Sequence, residues 1–487
     1  MRRSVALLVL AGIIMSASAC RQQPQGTIKV IVIGSAPKLV DPAVAPLSFA
    51  DEALVANVAQ GLVRFDAAGN IVPGLAERWN VSDDGLSYIF RIASAEWPDG
   101  RKISADQVAR VLKREIGPRS KVGLKDSLGA IDDIVPMTDR VIEIRLAAPR
   151  PNLLSLLAQP EFAIIRNGQG TGPFTALPSG VAGELRLSRE ITSPDEESSE
   201  REQLLLTGAP AEKAIQAFAT AQSDLVLGGT FADLPYAQRA NLPRNTLRFD
   251  PASGLFGLVP VRSGGPLDKA EVRHLLSEAI DRDALIAALA VPGLVPRANL
   301  LEPGLDGMPA PAAPAWFGTP LADRVAKLQA EAKRLFPSAE KSTVRVALPQ
   351  GPGSDQLFAL LSRDWGALGL SVERATSPAA ADFALIDEVA PSSSPAWFVR
   401  HFRCAAAPIC DPEADQLMEA ARETPVPAQR YALLSQAAAR IDDAELFLPI
   451  AAPVRWSLVS RRIQGFAGNR FARHTLTDLE QRPDSGG

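Results

Sequence analysis

The amino-acid sequence predicts an α/β fold, and three observations carry this prediction. Residues 28–33 form a nearly continuous apolar run that ends at a Gly-Ser pair, which is typical of a strand covered on both faces. Residues 343–348, 354–368 and 370–373 show strand-like, helical and again strand-like apolar patterns, as a β-α-β unit does. No internal repeat or heptad array is visible, which excludes a solenoid or a coiled coil.

The first half of the chain carries several local signals. Asp84-Gly85 separates two apolar runs and predicts a β-hairpin. Ser104 is followed three residues later by Gln107, which predicts a capping box at the start of a helix. Residues 141–146 alternate between apolar and polar side chains and predict a half-buried strand. Residues 179–202 are rich in Gly, Ser and acidic side chains, so we expect an exposed excursion with little regular structure.

Helices dominate the predictions for the second half of the chain. Apolar residues recur at three- and four-residue spacing over 271–289, which predicts one long helix. A further strand is predicted at 382–386, followed by two Ala-rich helices at 413–422 and 427–441.

Length and composition restrict the class of protein. A chain of 487 residues is long enough for about three domains. The formal net charge of −4 provides no basic surface for nucleic acid. With only three His and three Cys, the sequence argues against metal sites built from these residues and against histidine-based catalysis. We therefore expect no metal and no other cofactor.

The N-terminal segment predicts export. Two arginines precede an apolar run of about eleven residues, which is too short to span a bilayer and is typical of a signal peptide over residues 1–19. Ala-Ser-Ala-Cys then resembles a bacterial lipobox, in which Cys20 becomes the lipidated N-terminus. Ordinary cleavage after Ala19 is the alternative, because Ala17 stands where Leu is usual. The expected location is the periplasm, with a lipid anchor in the cell envelope membrane.

The two other cysteines, Cys404 and Cys410, lie close together in an Ala/Pro-rich stretch. In an oxidising compartment such a pair is expected to form a disulfide. Metal binding by the pair with His401 is the lesser alternative, because no further Cys or His stands at ligand spacing.

Six motifs in order resemble the bacterial extracellular solute-binding proteins of family 5, the peptide- and nickel-type receptors of ABC importers. The similarity is densest over residues 60–110. The motifs are Val40-Asp41-Pro42, Gln60-Gly61-Leu62, Pro73-Gly74-Leu75-Ala76-Glu77, Trp97-Pro98-Asp99-Gly100, Gly170-Thr171-Gly172-Pro173-Phe174 and Ala279-Ile280-Asp281-Arg282.

The resemblance implies a periplasmic binding protein-like fold of type II, with two hinged lobes and a small insert domain. Lobe I would comprise residues 20–57, 159–248 and 456–487, the insert domain 58–158, and lobe II 249–455. A peptide-like or other small polar ligand would bind between the lobes, and an ABC permease in the inner membrane would recognise the closed form. A monomer is expected.

The sequence departs from the family where peptide-binding members hold the ligand. By spacing, Glu388 stands at the position of an expected Trp, and Pro391 at that of the Asp which binds the peptide α-ammonium. Either Asp387 or Glu388 replaces the anchor, or no amine is held and both are solvated loop acids. Further candidate ligand-binding residues are Phe49 and Asp51, which follow the first strand, and Trp397, Arg400 and Arg403.

Two other functions remain as alternatives. A degenerate family member that serves as an envelope sensor or interaction protein without transport would explain the missing anchors. A secreted hydrolase is disfavoured, because the sequence contains no G-x-S-x-G, H-E-x-x-H or Walker motif.

Overall fold

The computed structural model describes residues 26–192, 199–337 and 342–481. The predicted signal peptide and Cys20 lie outside these ranges. Within them the strands are β1 (Ile28–Ile33), β2 (Val63–Phe65), β3 (Ile71–Pro73), β4 (Ala76–Val81), β5 (Ser87–Ile92), β6 (Ile131–Thr138), β7 (Val141–Leu146), β8 (Thr175–Pro178), β9 (Glu184–Thr192), β10 (Ser199–Ala209), β11 (Leu225–Thr230), β12 (Leu247–Phe249), β13 (Gly254–Pro260), β14 (Thr343–Ala347), β15 (Ser371–Arg374), β16 (Phe383–Val389), β17 (Leu448–Ala451), β18 (Arg455–Val459), β19 (Ile463–Gln464) and β20 (Glu480–Gln481).

The α-helices in the same ranges are α1 (Phe49–Val58), α2 (Ala105–Glu115), α3 (Leu153–Leu157), α4 (Ala211–Ala219), α5 (Leu234–Arg239), α6 (Ala270–Glu278), α7 (Arg282–Leu289), α8 (Leu321–Leu335), α9 (Pro352–Gly366), α10 (Pro395–Arg400), α11 (Pro412–Glu423) and α12 (Pro427–Asp443). Among these helices none combines the length and the apolar character needed to cross a membrane.

A mixed seven-stranded sheet has the order β12-β18-β11-β1-β10-β9-β8. Strand β1 lies in its middle and pairs in parallel with both β10 and β11. Ile28, Val30 and Val32 are at most 3% exposed, which confirms the prediction of a covered strand. The chain contributes strands to this sheet, leaves it, and returns to it with β18 near the C-terminal end.

A second sheet of five strands has the order β15-β14-β16-β13-β17. Strands β14 and β15 are parallel and joined through α9, so the predicted β-α-β unit is confirmed. Helix α9 buries Leu357, Leu361 and Trp365 completely, and the Trp365 indole N–H donates to the carbonyl of Leu276 at 3.0 Å.

A third, antiparallel sheet has the order β4-β5-β7-β6 and packs against α2. The predicted hairpin joins β4 to β5. The predicted capping box is present, because Ser104 Oγ accepts from the N–H of Gln107 at 3.4 Å and Gln107 Oε1 accepts from the N–H of Ser104 at 3.5 Å. Gln107 Oε1 also accepts from the indole of Trp97 at 2.9 Å, which fixes the helix to the core of this sheet.

Each of the three sheets takes its strands from its own ranges of the chain. The seven-stranded sheet lies in the ranges predicted for lobe I, except that β12 and β18 each extend one residue beyond a predicted boundary. The five-stranded sheet lies within predicted lobe II, and the four-stranded sheet within the predicted insert domain. We use these three names for the sheets with the elements packed on them. The boundaries to the residue remain predictions.

The prediction of little regular structure over residues 179–202 is wrong. Strands β9 and β10 form an antiparallel pair at one side of the lobe I sheet. Leu187, Leu204 and Leu206 are fully buried in it, so alternating leucines decide the structure despite the polar composition. Residues 193–198 lie outside the described ranges.

The single helix predicted over 271–289 is two helices, α6 and α7. Asp281 caps α7 by accepting from the N–H of Ala284 at 3.1 Å. Arg282 is 3% exposed and donates to the carbonyls of Pro449 and Ser277, each at 2.7 Å. The helix ends because Asp281 and Arg282 satisfy backbone groups that a continuous helix would pair internally.

One apolar cluster extends from lobe I into lobe II. Phe231, directly after β11, meets Phe256 of β13 edge-to-face, with ring centroids 4.8 Å apart. The two side chains are 0% and 1% exposed. The lobes are therefore joined by buried side chains as well as by the chain crossovers.

Glu115, the last residue of α2, is a buried acid of the insert domain. It is 0% exposed, and neither carboxylate oxygen has a hydrogen-bond partner among the described residues. Burial raises the pKa of its carboxyl well above the ordinary value of 4.5. Between pH 4.5 and the raised pKa, Glu115 therefore keeps its proton in the folded protein but loses it in the unfolded chain.

We expect Glu115→Gln to remove this pH dependence. The stability contributed by protonated Glu115 is present below pH 4.5 and is lost as the pH rises toward the raised pKa, by about 1.4 kcal/mol per pH unit. In urea unfolding, the free energy of unfolding of the variant should rise relative to that of the wild type as the pH increases from 4.5 to 7. As a control, Glu143→Gln should leave the slope over this range nearly unchanged, because a hydrogen bond from Arg145 lowers the Glu143 pKa below 4.5 and its contribution to stability changes at lower pH. Equal slopes for Glu115→Gln and wild type would contradict the assignment.

Candidate functional site

A cavity of about 250 Å³ lies between the lobe I and lobe II sheets, and we call it the central cleft. Lobe I contributes the start of α1, the ends of β11 and β18 that face lobe II, and residues 471–474 of the C-terminal segment. Lobe II contributes the end of β16 and the segment after it. The charged and histidine side chains that line it are Glu52, Glu161, Asp250, Asp387, Glu388, Arg455, Arg473 and His474.

Helix α1 places Phe49 in the central cleft but turns Asp51 away from it. Phe49 lines the cavity and is 45% exposed. The Asp51 carboxylate accepts from the backbone N–H of Lys38 at 2.8 Å and from Ser48 Oγ at 2.7 Å, and it is the acidic member of a capping box. Asp51 therefore holds the helix start and the preceding loop, which corrects its expected place among the ligand-binding residues.

Asp387 lines the central cleft and forms an ion pair with Arg455. Arg455 Nη1 donates to Asp387 Oδ1 at 2.7 Å, and Nη2 donates to the Asp387 carbonyl at 2.8 Å. Burial raises the pKa of Asp387, while Arg455 acts in the opposite direction. Because β16 carries Asp387 and β18 carries Arg455, the ion pair joins the two lobes at the crossover.

Glu388 is the more accessible of the two predicted acids. Its side chain is 56% exposed, and its Oε2 lies 3.3 Å from Nε2 of His401. This hydrogen bond lowers the pKa of Glu388, so the group is ionised at neutral pH. A carboxylate at the edge of a cleft with one histidine neighbour can accept hydrogen bonds from a ligand ammonium.

A cluster that the sequence did not reveal forms the lobe I wall. Arg473 binds Glu52, lies 3.4 Å from Glu161, and donates Nε to Gln159 Oε1 at 3.2 Å. Gln159 in turn donates to the carbonyl of Pro391 in lobe II at 2.9 Å. Burial raises the pKa of Glu52 to about 7, against the opposing effect of Arg473. The cluster therefore connects the wall of one lobe to the backbone of the other.

His474 extends this wall. Its Nε2 lies 3.2 Å from Asp250 Oδ2, and its ring stacks on Phe466 with centroids 4.7 Å apart. The basic and aromatic run over residues 470–474 is a sequence signal that could have drawn attention to this wall, but nothing local indicates that it reaches α1. His474 is held by these contacts as part of the binding surface.

Trp397 and the two arginines predicted with it, Arg400 and Arg403, do not all line the central cleft. Trp397 is 4% exposed and lines the central cleft and also a second cavity of about 120 Å³, which we call the side cavity. Arg400 and Arg403 line only the side cavity, between the insert domain and lobe II. They are therefore not placed to clamp a ligand in the central cleft, which corrects that expectation.

Cys404 and Cys410 are joined as a disulfide, with their Cα atoms 5.1 Å apart. The bridge lies between α10 and α11, and the N–H of Cys404 donates to Asp415 of α11 at 3.1 Å. Over the described residues no group of three or more His, Cys, Asp or Glu is arranged to hold a metal ion.

The fold has known counterparts. The structure of Haemophilus influenzae OppA in complex with RPPGFSPFR has a TM-score of 0.80 at 14% identity, over 94% of this chain and 100% of that one. The Escherichia coli murein tripeptide binding protein MppA likewise has a TM-score of 0.80, at 16% identity, over 94% and 99%. Both show that the two-lobed fold of type II periplasmic binding proteins is present.

Sequence comparison agrees with this fold. The Probable di/tripeptide-binding protein 5 of Pseudomonas aeruginosa is 24% identical over 491 aligned residues, which cover 85% of this chain and 88% of that protein. The sequence profile described as "Bacterial extracellular solute-binding proteins, family 5 Middle" matches residues 70–389. The chain therefore belongs to the bacterial extracellular solute-binding proteins of family 5, and it is a solute receptor of the kind that serves ABC importers.

Proposed function

We propose that this receptor binds a small peptide with a free α-ammonium group in the central cleft and delivers it to an ABC permease. The observation that carries the proposal is the ionised and accessible carboxylate of Glu388 at the lobe II edge of the cleft. The names of the relatives support a di- or tripeptide. Binding and release without chemical change to the ligand complete the proposed function.

The charge of the cleft favours a cationic group on the ligand. Five carboxylates line it against two arginines, and both arginines are in ion pairs with lining carboxylates. A ligand ammonium near Glu388 would add a cation where the carboxylates are in excess. Phe49 and Trp397 line the cleft from opposite lobes, and we propose that they contact apolar parts of the ligand.

Ligand binding would also favour the closed arrangement of the lobes. A ligand that contacts both sheets only when they are close binds that state more tightly and shifts the population toward it. The hydrogen bond from Gln159 in lobe I to the carbonyl of Pro391 in lobe II would contribute to this closed state. We propose that the receptor acts as a monomer, since one chain supplies both walls of the cleft.

The test uses trialanine and N-acetyl-trialanine in thermal unfolding experiments. Trialanine at 100 times its Kd should stabilise the wild type by about 2.7 kcal/mol, whereas the acetylated peptide should have little effect. Glu388→Gln should lose most of the response. Glu373→Gln is the matched control, because Glu373 belongs to the same sheet and is 57% exposed, against 56% for Glu388.

Two results would contradict the proposal in different ways. Equal stabilisation by both peptides, retained in Glu388→Gln, would show that no ammonium is held at Glu388. No response to any peptide, with an unchanged radius of gyration in solution scattering, would favour the alternative of an envelope sensor without transport.

We further propose that Cys20 carries the lipid that anchors the receptor in the periplasm. The lipobox-like Ala-Ser-Ala-Cys supports this assignment. A Cys20→Ala variant should move from the membrane fraction to the soluble periplasmic fraction, and retention in the membrane fraction would contradict the anchor.

A further inference from the structure

The side cavity is separate from the central cleft in its walls and in its chemistry. It lies between the insert domain and helices α10, α11 and α12 of lobe II, and only Trp397 lines both cavities. Its lining is mostly apolar, with Leu128, Leu156, Met418 and Leu434 among the buried side chains. A ligand held there would contact two parts of the molecule that are far apart in sequence.

Positive charge is concentrated in this cavity. Five arginines and one carboxylate, Asp126, line it; the arginines are Arg150, Arg400, Arg403, Arg422 and Arg430. Arg422 has an acidic neighbour, Glu419, at 2.8 Å. The lining therefore has a large excess of cations, whereas the central cleft has an excess of carboxylates.

One of these arginines, Arg430, has an N–H group without a hydrogen-bond acceptor among the described residues. It is 5% exposed, and its Nη1 has no hydrogen-bond partner among the described residues. A buried guanidinium N–H without an acceptor is unfavourable, and native proteins rarely retain one without a reason. An anion in the cavity would supply the missing acceptor.

Two of the other arginines connect the insert domain to lobe II. Arg150 of the insert domain donates to the carbonyl of Arg422 at 3.1 Å, and Arg400 of lobe II donates to Ser127 Oγ. Burial, together with Arg430, lowers the pKa of Arg150 to about 10. Burial also lowers the pKa of Arg400 to about 10, partly offset by Asp126. Both side chains remain cationic at neutral pH, so they are available to an anion.

We infer that the side cavity binds an organic anion, a carboxylate or phosphate group attached to an apolar body, independently of the solute in the central cleft. The guanidinium groups of Arg150 and Arg430 would bind the acidic group, since guanidinium pairs well with carboxylate and phosphate. The apolar walls would cover the rest of the ligand. Because insert domain and lobe II both contribute, the bound anion would hold these two parts together.

Isothermal titration with octyl phosphate and octanoate tests this inference. Both should bind the wild-type protein, whereas 1-octanol and inorganic phosphate should bind at least about tenfold more weakly, because each lacks one half of the recognised chemistry. The ratio between octyl phosphate and octanoate distinguishes a phosphate from a carboxylate ligand. Arg430→Gln should weaken both by about tenfold or more.

The melting temperature of Arg430→Gln without ligand shows whether Arg430 acts in binding or in stabilising the fold. The Arg430 guanidinium lies 5.6 Å from the centroid of the Tyr431 ring, but it has no acidic partner among the described residues. Removing this cation from among other cations should therefore leave the melting temperature equal or higher. Arg273→Gln is the matched control, since Arg273 is 2% exposed in α6 but donates Nε to the carbonyls of Ala444 and Glu445. That variant should melt lower and keep the affinity for octyl phosphate. Arg403→Gln, expected to weaken binding, provides a second variant of the cavity.

The inference is overturned if octyl phosphate affinity is unchanged in both Arg430→Gln and Arg403→Gln, or if 1-octanol binds equally well. It is also overturned if trialanine competes with octyl phosphate or if Glu388→Gln abolishes octyl phosphate binding, since either result places the anion in the central cleft. Octyl phosphate binding without any peptide binding would support the side cavity and contradict only the proposed peptide function.

Discussion

Replacing Arg455 by methionine is expected to lower the free energy of unfolding by about 3–5 kcal/mol at pH 7, because the variant leaves Asp387 charged, buried and unpaired. The side chains of Arg455 and Asp387 are only 6% and 15% exposed, so water cannot replace the lost partner. Arg455 also donates to the Asp387 carbonyl, and that bond is lost too. Urea unfolding at neutral pH measures the change.

Acid pH and a second substitution test the reason for this loss. Without Arg455 the Asp387 pKa should rise further above its ordinary value, so stability is retained at low pH and lost as the pH rises through the raised pKa. The difference from wild type should therefore be smaller at pH 5 than at pH 7. Arg455→Met/Asp387→Asn should recover much of the loss. A loss of equal size at both pH values, or no recovery, would contradict the explanation.

Phe231→Ala is expected to lower the free energy of unfolding by about 3–5 kcal/mol, the range for a fully buried aromatic residue. Phe231 lies where the shared apolar cluster passes from lobe I into lobe II, against Phe256. The cavity left by the missing ring would also weaken the contact between the lobes. We therefore expect a larger radius of gyration for the ligand-free variant in solution scattering.

Phe383→Ala is the matched control for the effect on the lobes. Phe383 is equally buried at 0% exposure, but it packs against Trp365 within lobe II. This variant should lose a similar amount of stability without a change in the radius of gyration. If both variants change the radius equally, the Phe231–Phe256 contact has no special role in joining the lobes.

The parts of the fold that the sequence predicted correctly are those decided by neighbouring residues. The Asp84-Gly85 hairpin, the Ser104 capping box and the β-α-β unit around α9 depend on turns, caps and periodicity within about thirty residues. The capping role of Asp51 could have been predicted by the same reasoning. Ser48 and Asp51 form an S-x-x-D pattern that indicates a helix cap, and the structure shows this cap.

The contacts of the central cleft that join residues distant in the sequence could not be predicted from the sequence. Glu52 binds Arg473 across 421 positions, and Asp387 binds Arg455 across 68. No local pattern indicates which acid meets which arginine. The family resemblance directed attention to Asp387 and Glu388, but only the structure shows that Asp387 already has a cation and that Glu388 remains accessible.

The contact between α1 and residues 471–474 has a consequence for biosynthesis. The ribosome makes Glu52 early and its partner Arg473 only 421 residues later, so a chain still being made lacks one wall of the binding surface. Recognition of solute is thereby delayed until nearly all of the polypeptide has been made. If the protein is exported as the sequence of residues 1–19 predicts, this order of assembly would keep an unfinished chain from capturing solute before secretion.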